Sequence, residues 1–75
     1  MHINELAPGD RVRLIHFGST APEYRHRLLS LGVTPGVEFV IVRKAPLGCP
    51  VHIHLRGTSL TLRKEEAGQL VLERL

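Results

Sequence analysis

A chain of 75 residues, 43% hydrophobic and 23% charged, has the composition of a small soluble globular domain, not of a disordered one, and its length accommodates one domain over 1–75. Its single cysteine, Cys49, excludes an internal disulfide framework; no apolar run reaches the ~18 residues of a membrane helix; and the N-terminus Met1-His2-Ile3-Asn4-Glu5 lacks the basic and apolar regions of a leader, so a cytoplasmic location without membrane insertion is expected. Ten Lys and Arg against seven Asp and Glu leave a net charge of +3, spread along the chain with only Phe17, Tyr24 and Phe39 as aromatics, which offers neither a basic cluster nor a stacking platform for nucleic acid.

Pro8-Gly9-Asp10 reads as a turn into a first strand, Arg11 to Phe17, in which Val12 and Leu14 alternate with Arg11 and Arg13. Asp10 ends that reverse turn. His16 shares the parity of Val12 and Leu14, which predicts a histidine at the end of the core rather than a ligand. Thr20-Ala21-Pro22-Glu23 then has the form of a capping box, with Pro22 suited to a first helical turn. In the helix it opens, Tyr24, Leu28 and Leu31 form the buried stripe, while Arg25, His26, Arg27 and Ser30 lie off it. Gly32 stands where a left-handed C-terminal cap is wanted, and Pro35-Gly36 prevents continuation.

Val37 to Lys44, nearly continuous in apolar residues through Phe39-Val40-Ile41-Val42, predicts a second strand covered on both faces. Ala45 to Pro50 is a loop. The third strand has strict alternation: Val51, Ile53 and Leu55 to one side, His52, His54 and Arg56 to the other. Gly57-Thr58, with glycine first, suits a type II′ hairpin turn into a fourth strand carrying Leu60 and Leu62. Lys64 to Ala67 makes one helical turn stopped at Gly68, and Leu70 and Leu72 mark a closing strand.

The expectation is a mainly β fold with one short α-helix. Five strands of this length bury an enclosed core best by curling into a small SH3-like barrel. An OB-type barrel is the alternative, disfavoured because its helix would usually fall between the third and fourth strands.

Several segments resemble the FeoA family, small cytoplasmic accessory proteins of bacterial ferrous iron uptake. They are Pro8-Gly9, the run from Tyr24 to Gly36 containing Arg27-Leu28-Leu29-Ser30-Leu31-Gly32, the loop Ala45-Pro46-Leu47-Gly48-Cys49-Pro50, Arg56-Gly57, and Leu60 to Ala67. Together they cover nearly the whole chain in order. One position departs from the family, which usually has an Asp where this chain has Cys49. The resemblance implies an SH3-like fold and action with FeoB, a membrane permease bearing a cytoplasmic GTP-binding domain. The same barrel occurs at the C-terminus of iron-dependent repressors related to the diphtheria toxin repressor, but no DNA-binding helices accompany it here, which favours the transport accessory.

Among chemical functions, catalysis has least support. There is no glycine-rich phosphate loop ending in Lys and Ser or Thr, and no nucleophile beside a base, so no enzyme activity is expected. His52 and His54 project from one strand face with Cβ atoms ~7 Å apart, close enough to share one ion, and Cys49 three residues earlier adds a thiolate. His26 or His16 are further ligands to consider. The plain alternative is a pair of solvated histidines, since the opposite face supplies the core. No cofactor is required on this reading; weak zinc or ferrous iron binding is the alternative function, with zinc the better retained. Cys49 itself has no cation or helix N-terminus beside it to activate the thiol. For partner recognition, Leu47 between Pro46 and Gly48 is an apolar anchor that a loop cannot bury. Arg25 and Leu29 beside the helix stripe extend that patch, unless Leu29 completes the helix–barrel interface. The expected function is therefore a non-enzymatic accessory that binds the GTP-binding part of a FeoB-type permease.

Overall fold

The structure is a computed structural model that describes residues 2–46 and 50–75, with the side chains of Asn4 and Glu66 excepted. Strands β1 (Arg11–His16), β2 (Glu38–Lys44), β3 (Val51–Leu55), β4 (Thr58–Leu62) and β5 (Val71–Arg74) form one antiparallel sheet in the order β4-β3-β2-β1-β5. Helix α1 (Pro22–Ser30) joins β1 to β2, and the single turn α2 (Lys64–Ala67) joins β4 to β5. Among the described residues, no helix is long and apolar enough to cross a membrane.

Alternation places the core as the sequence predicts. Val12 and Leu14 of β1, Phe39 and Ile41 of β2, Val51, Ile53 and Leu55 of β3, Leu62 of β4 and Leu72 of β5 are all buried on one concave face. Tyr24 and Leu28 of α1 and Ala67 of α2 join the same cluster. A 3₁₀ turn at Ile3–Glu5, not foreseen from the sequence, adds Ile3 and Leu6, both essentially inaccessible to solvent. The Glu5 carboxylate accepts from the His2 N–H at 2.8 Å, and Lys44 donates to the Leu6 carbonyl at 3.0 Å, tying this segment to the end of β2. Asp10 closes its turn as expected: its carboxylate accepts from the Ala7 N–H at 2.8 Å, and its own N–H donates to the Ala7 carbonyl.

Five local expectations are corrected. The capping box does not form: the Thr20 hydroxyl donates back to the Phe17 carbonyl, and Ala21 takes the N-cap position without a side-chain bond. Leu31 leaves the buried stripe because the helix ends at Ser30, and it is 45% exposed. In β2, Val40 is half-buried and Val42 is 53% exposed, so only one face of the strand is covered. A register shift between Ile41 and Arg43 accompanies this outward turn of Val42. A similar shift between Leu14 and His16 breaks the parity of β1 and leaves His16 exposed, its Nδ1 accepting from the Gly18 N–H at 3.0 Å. Finally, the β3–β4 hairpin turns at Arg56-Gly57, not Gly57-Thr58. Leu55 pairs with Thr58, and Arg56 and Gly57 both have positive φ, 50° and 82°, the signature of a type I′ turn.

Candidate functional site

Three surfaces carry the candidate residues: the outer sheet face with its histidines, and the two flanks of α1. The alternation of β3 turns His52 and His54 outward, as the sequence requires. His52 is half-buried opposite Thr61 of β4 and Arg43 of β2; His54 is exposed opposite Ser59 and Val40. The two imidazoles line different hollows. His52 borders one of about 260 Å³ with Val42, Arg43, Ile53 and Ser59. His54 borders one of about 330 Å³ with Arg11, Glu38, Phe39, Val40 and Arg56.

Among the described residues, no third His, Cys, Asp or Glu converges on the histidine pair, and His16 and His26 are not brought to it. Cys49 lies outside the described residues. The electrostatic setting is also unfavourable to a dication. Arg43 lies beside His52, and Arg11 and Arg56 lie beside His54, while Glu38 is held by Arg13 at 3.1 Å. Arg13 is shared with Glu73 at 3.5 Å, and Arg74 reaches Asp10 at 3.5 Å. These largely solvent-accessible pairs each contribute less than about 1 kcal/mol, and they balance charge along β1, β5 and the start of β2.

On α1, Arg25 and Leu29 are four residues apart and therefore neighbours on one flank of the helix. Arg25 is half-buried, whereas Leu29 is 42% exposed, so Leu29 does not complete the helix–barrel interface. Pro46 is exposed, and Leu47 lies outside the described residues. The opposite flank carries Arg27, with Leu31 four residues on at the C-cap, and the sequence alone does not show what they face. With Tyr24, Leu28, Thr61 and Arg63 they line a hollow of about 230 Å³ between α1 and β4. A signal is present in the alternation of Thr61 with Arg63, but its meaning depends on which strand ends the sheet.

Comparison with known proteins follows the same architecture. Residues 1–74 match the FeoA domain family. The chain is 29% identical over 73 residues to a Fe(2+) transport protein A/Fe(2+) transporter FeoB fusion protein of Porphyromonas gingivalis, covering 97% of this chain and 8% of that protein. The solution structure of iron(II) transport protein A from Clostridium thermocellum superposes with a TM-score of 0.90 at 33% identity, over all of this chain and 46% of that one. A FeoA from Stenotrophomonas maltophilia, described as a prokaryotic SH3 domain protein and crystallised with zinc, superposes with a TM-score of 0.79 at 26% identity, over 97% of this chain and 89% of that one. The chain thus spans less than a tenth of the curated relative and under half of the Clostridium protein. With a family match across residues 1–74 and superposition on FeoA proteins over nearly its whole length, this chain belongs to the FeoA family.

Proposed function

We propose that this domain is a non-enzymatic accessory of ferrous iron uptake in the cytoplasm, binding the GTP-binding part of a FeoB-type permease and modulating transport. The observation that carries this reading is the Porphyromonas gingivalis protein in which a region like this chain is fused to a FeoB transporter. Two proteins that act together tolerate covalent linkage, which raises the effective concentration of each at the other. The contact surface assigned is the α1 flank of Arg25 and Leu29, because an exposed leucine beside an arginine matches the apolar anchor and polar rim of a protein interface; the exposed Pro46 is a further candidate, and Leu47 lies outside the described residues.

Pull-down with the soluble GTP-binding domain of the permease is expected to retain the chain. Arg25→Ala and Leu29→Ala are each expected to weaken that retention while shifting stability by no more than about 0.5 kcal/mol. Strong, salt-sensitive binding to nucleic acid without retention by the permease domain would overturn the reading.

A second reading, metal binding at His52 and His54 with Cys49, draws on their shared strand face and on the zinc present in the Stenotrophomonas relative. The arginines around both imidazoles keep such a site weak, and the core residues Val51, Ile53 and Leu55 owe nothing to an ion. Titration calorimetry with zinc and ferrous iron is expected to give weak binding that disappears in the His52→Ala/His54→Ala double variant. Chelator should leave the melting temperature unchanged. Undiminished affinity in the double variant would remove these histidines from the site.

A further inference from the structure

We propose that the free edge of β4, together with the hollow it shares with α1, receives an extended acidic peptide segment of a protein partner as a sixth strand. This inference does not rest on the permease reading; its surface lies on the other flank of α1 from Arg25 and Leu29, and its occupant is defined by chemistry alone.

The strand order leaves β4 at one end of the sheet. Leu55 and Thr58 close the two-residue hairpin as a hydrogen-bonded pair, and antiparallel ladders alternate, so Ile53–Leu60 and Val51–Leu62 bond likewise. The backbone N–H and C=O groups of Ser59 and Thr61 therefore point away from β3. No other described residue forms a backbone bond with either of them. Both residues are exposed, and β4 carries neither a proline nor a charged side chain along its length. Edges of natural sheets are usually blunted by such residues or by a covering element. This edge is open.

What lies beside it selects the occupant. The hollow of about 230 Å³ runs between the edge and α1, lined by Thr61 and Arg63 on one side and by Tyr24, Arg27, Leu28 and Leu31 on the other. Leu31 offers an exposed apolar surface at 45% accessibility. Among the described residues, neither the Arg27 nor the Arg63 guanidinium forms an ion pair or hydrogen bond; Arg27 accepts from the Ser30 hydroxyl only through its backbone carbonyl. Two guanidiniums without an ion-pair partner among the described residues, flanking the strand edge, fit a peptide whose alternate side chains are carboxylates and whose remaining side chains are apolar.

The test is to pan a phage-displayed library of random heptapeptides on the whole chain, then follow a selected peptide by amide chemical shifts and hydrogen exchange. The expected result is enrichment of acidic sequences that alternate with apolar residues. Their binding should shift and protect the Ser59 and Thr61 amides, and should weaken about tenfold for each arginine neutralised, the loss of one charge-assisted hydrogen bond, and further where its charge is reversed. The variants are Arg27→Glu and Arg63→Glu, with Arg27→Gln and Arg63→Gln taking their place if charge reversal disturbs folding; Arg→Lys at each position should restore part of the affinity. The proposal fails if no peptide is enriched, if those enriched are not acidic, if the arginine variants bind as well as the parent, or if the shifts fall away from β4. It also fails if sedimentation shows the chain dimerising through β4.

Discussion

Leu28→Ala should unfold far more readily than the parent, and Leu29→Ala, one residue along the same helix, should not. Leu28 is 1% exposed in the core cluster with Tyr24, whereas Leu29 is 42% exposed. Truncating a buried leucine costs about 2–5 kcal/mol, from lost transfer free energy and from the cavity left behind. A domain of this length has about 4–11 kcal/mol of stability in all, so that loss approaches the whole of it. A fall in Tm of at least about 10 °C is expected. For Leu29→Ala the change should stay within about 0.5 kcal/mol, helped by alanine's better helix propensity. Calorimetric melts of the two variants decide the matter. Equal destabilisation would mean that α1 presents a different face to the sheet.

Gly18→Ala is the second substitution with a large expected cost. Gly18 has φ +61°, and a Cβ at this position would fall far inside contact distance of the Gln69 backbone carbonyl oxygen. Left-handed backbone alone costs a non-glycine residue about 1–2 kcal/mol. Here the colliding atom belongs to backbone and cannot rotate away, so the β1–α1 turn or the segment before β5 must shift, and a total of about 2–4 kcal/mol is expected. Gly36 supplies the comparison. It also has positive φ, +92°, but no atom lies within 4 Å of the place a Cβ would take, so Gly36→Ala should show only the conformational strain. Denaturant midpoints for both variants separate the two contributions. Equal losses would show that the Gln69 carbonyl yields without cost.

How much of the molecule is legible in its sequence depends on whether a residue's fate is decided locally. The alternation at Val51-His52-Ile53-His54-Leu55 dictates both the core side and the outward histidines, because period-2 geometry leaves no other arrangement for a strand with one covered face. Tyr24 and Leu28 are legible for the helical counterpart of that reason. Leu31 is not, since its exposure follows from the helix ending one residue earlier. Arg56 escapes a sequence reading because nothing about an arginine signals a φ of 50°; the tight pairing of Leu55 with Thr58 imposes it. Thr20 has two acceptable uses for one hydroxyl, and the Phe17 carbonyl claims it. Ile3 and Leu6 are too few to show a period, so their burial emerges only when the sheet is present to receive them. The same holds for the candidate surfaces. The histidine pair is readable from its strand, but the open β4 edge and the pairing of Arg27 with Arg63 across a hollow exist only once strand order and helix docking are fixed.

The ladder between β1 and β5 joins strands far apart in sequence, with Val12 beside Arg74 and Leu14 beside Leu72. Until residues 71–74 have been made, β1 has an unpaired side, and Leu72 is missing from the core. Such long-range closure is slow relative to local hairpins, because the entropy of bringing distant segments together must be overcome before their contacts form. During synthesis, the β2–β3–β4 meander can therefore assemble first, while the native state waits for β5 to leave the ribosome. A chain terminated before Val71 would emerge as a meander with its first strand half-paired, a target for proteolysis rather than a smaller working domain.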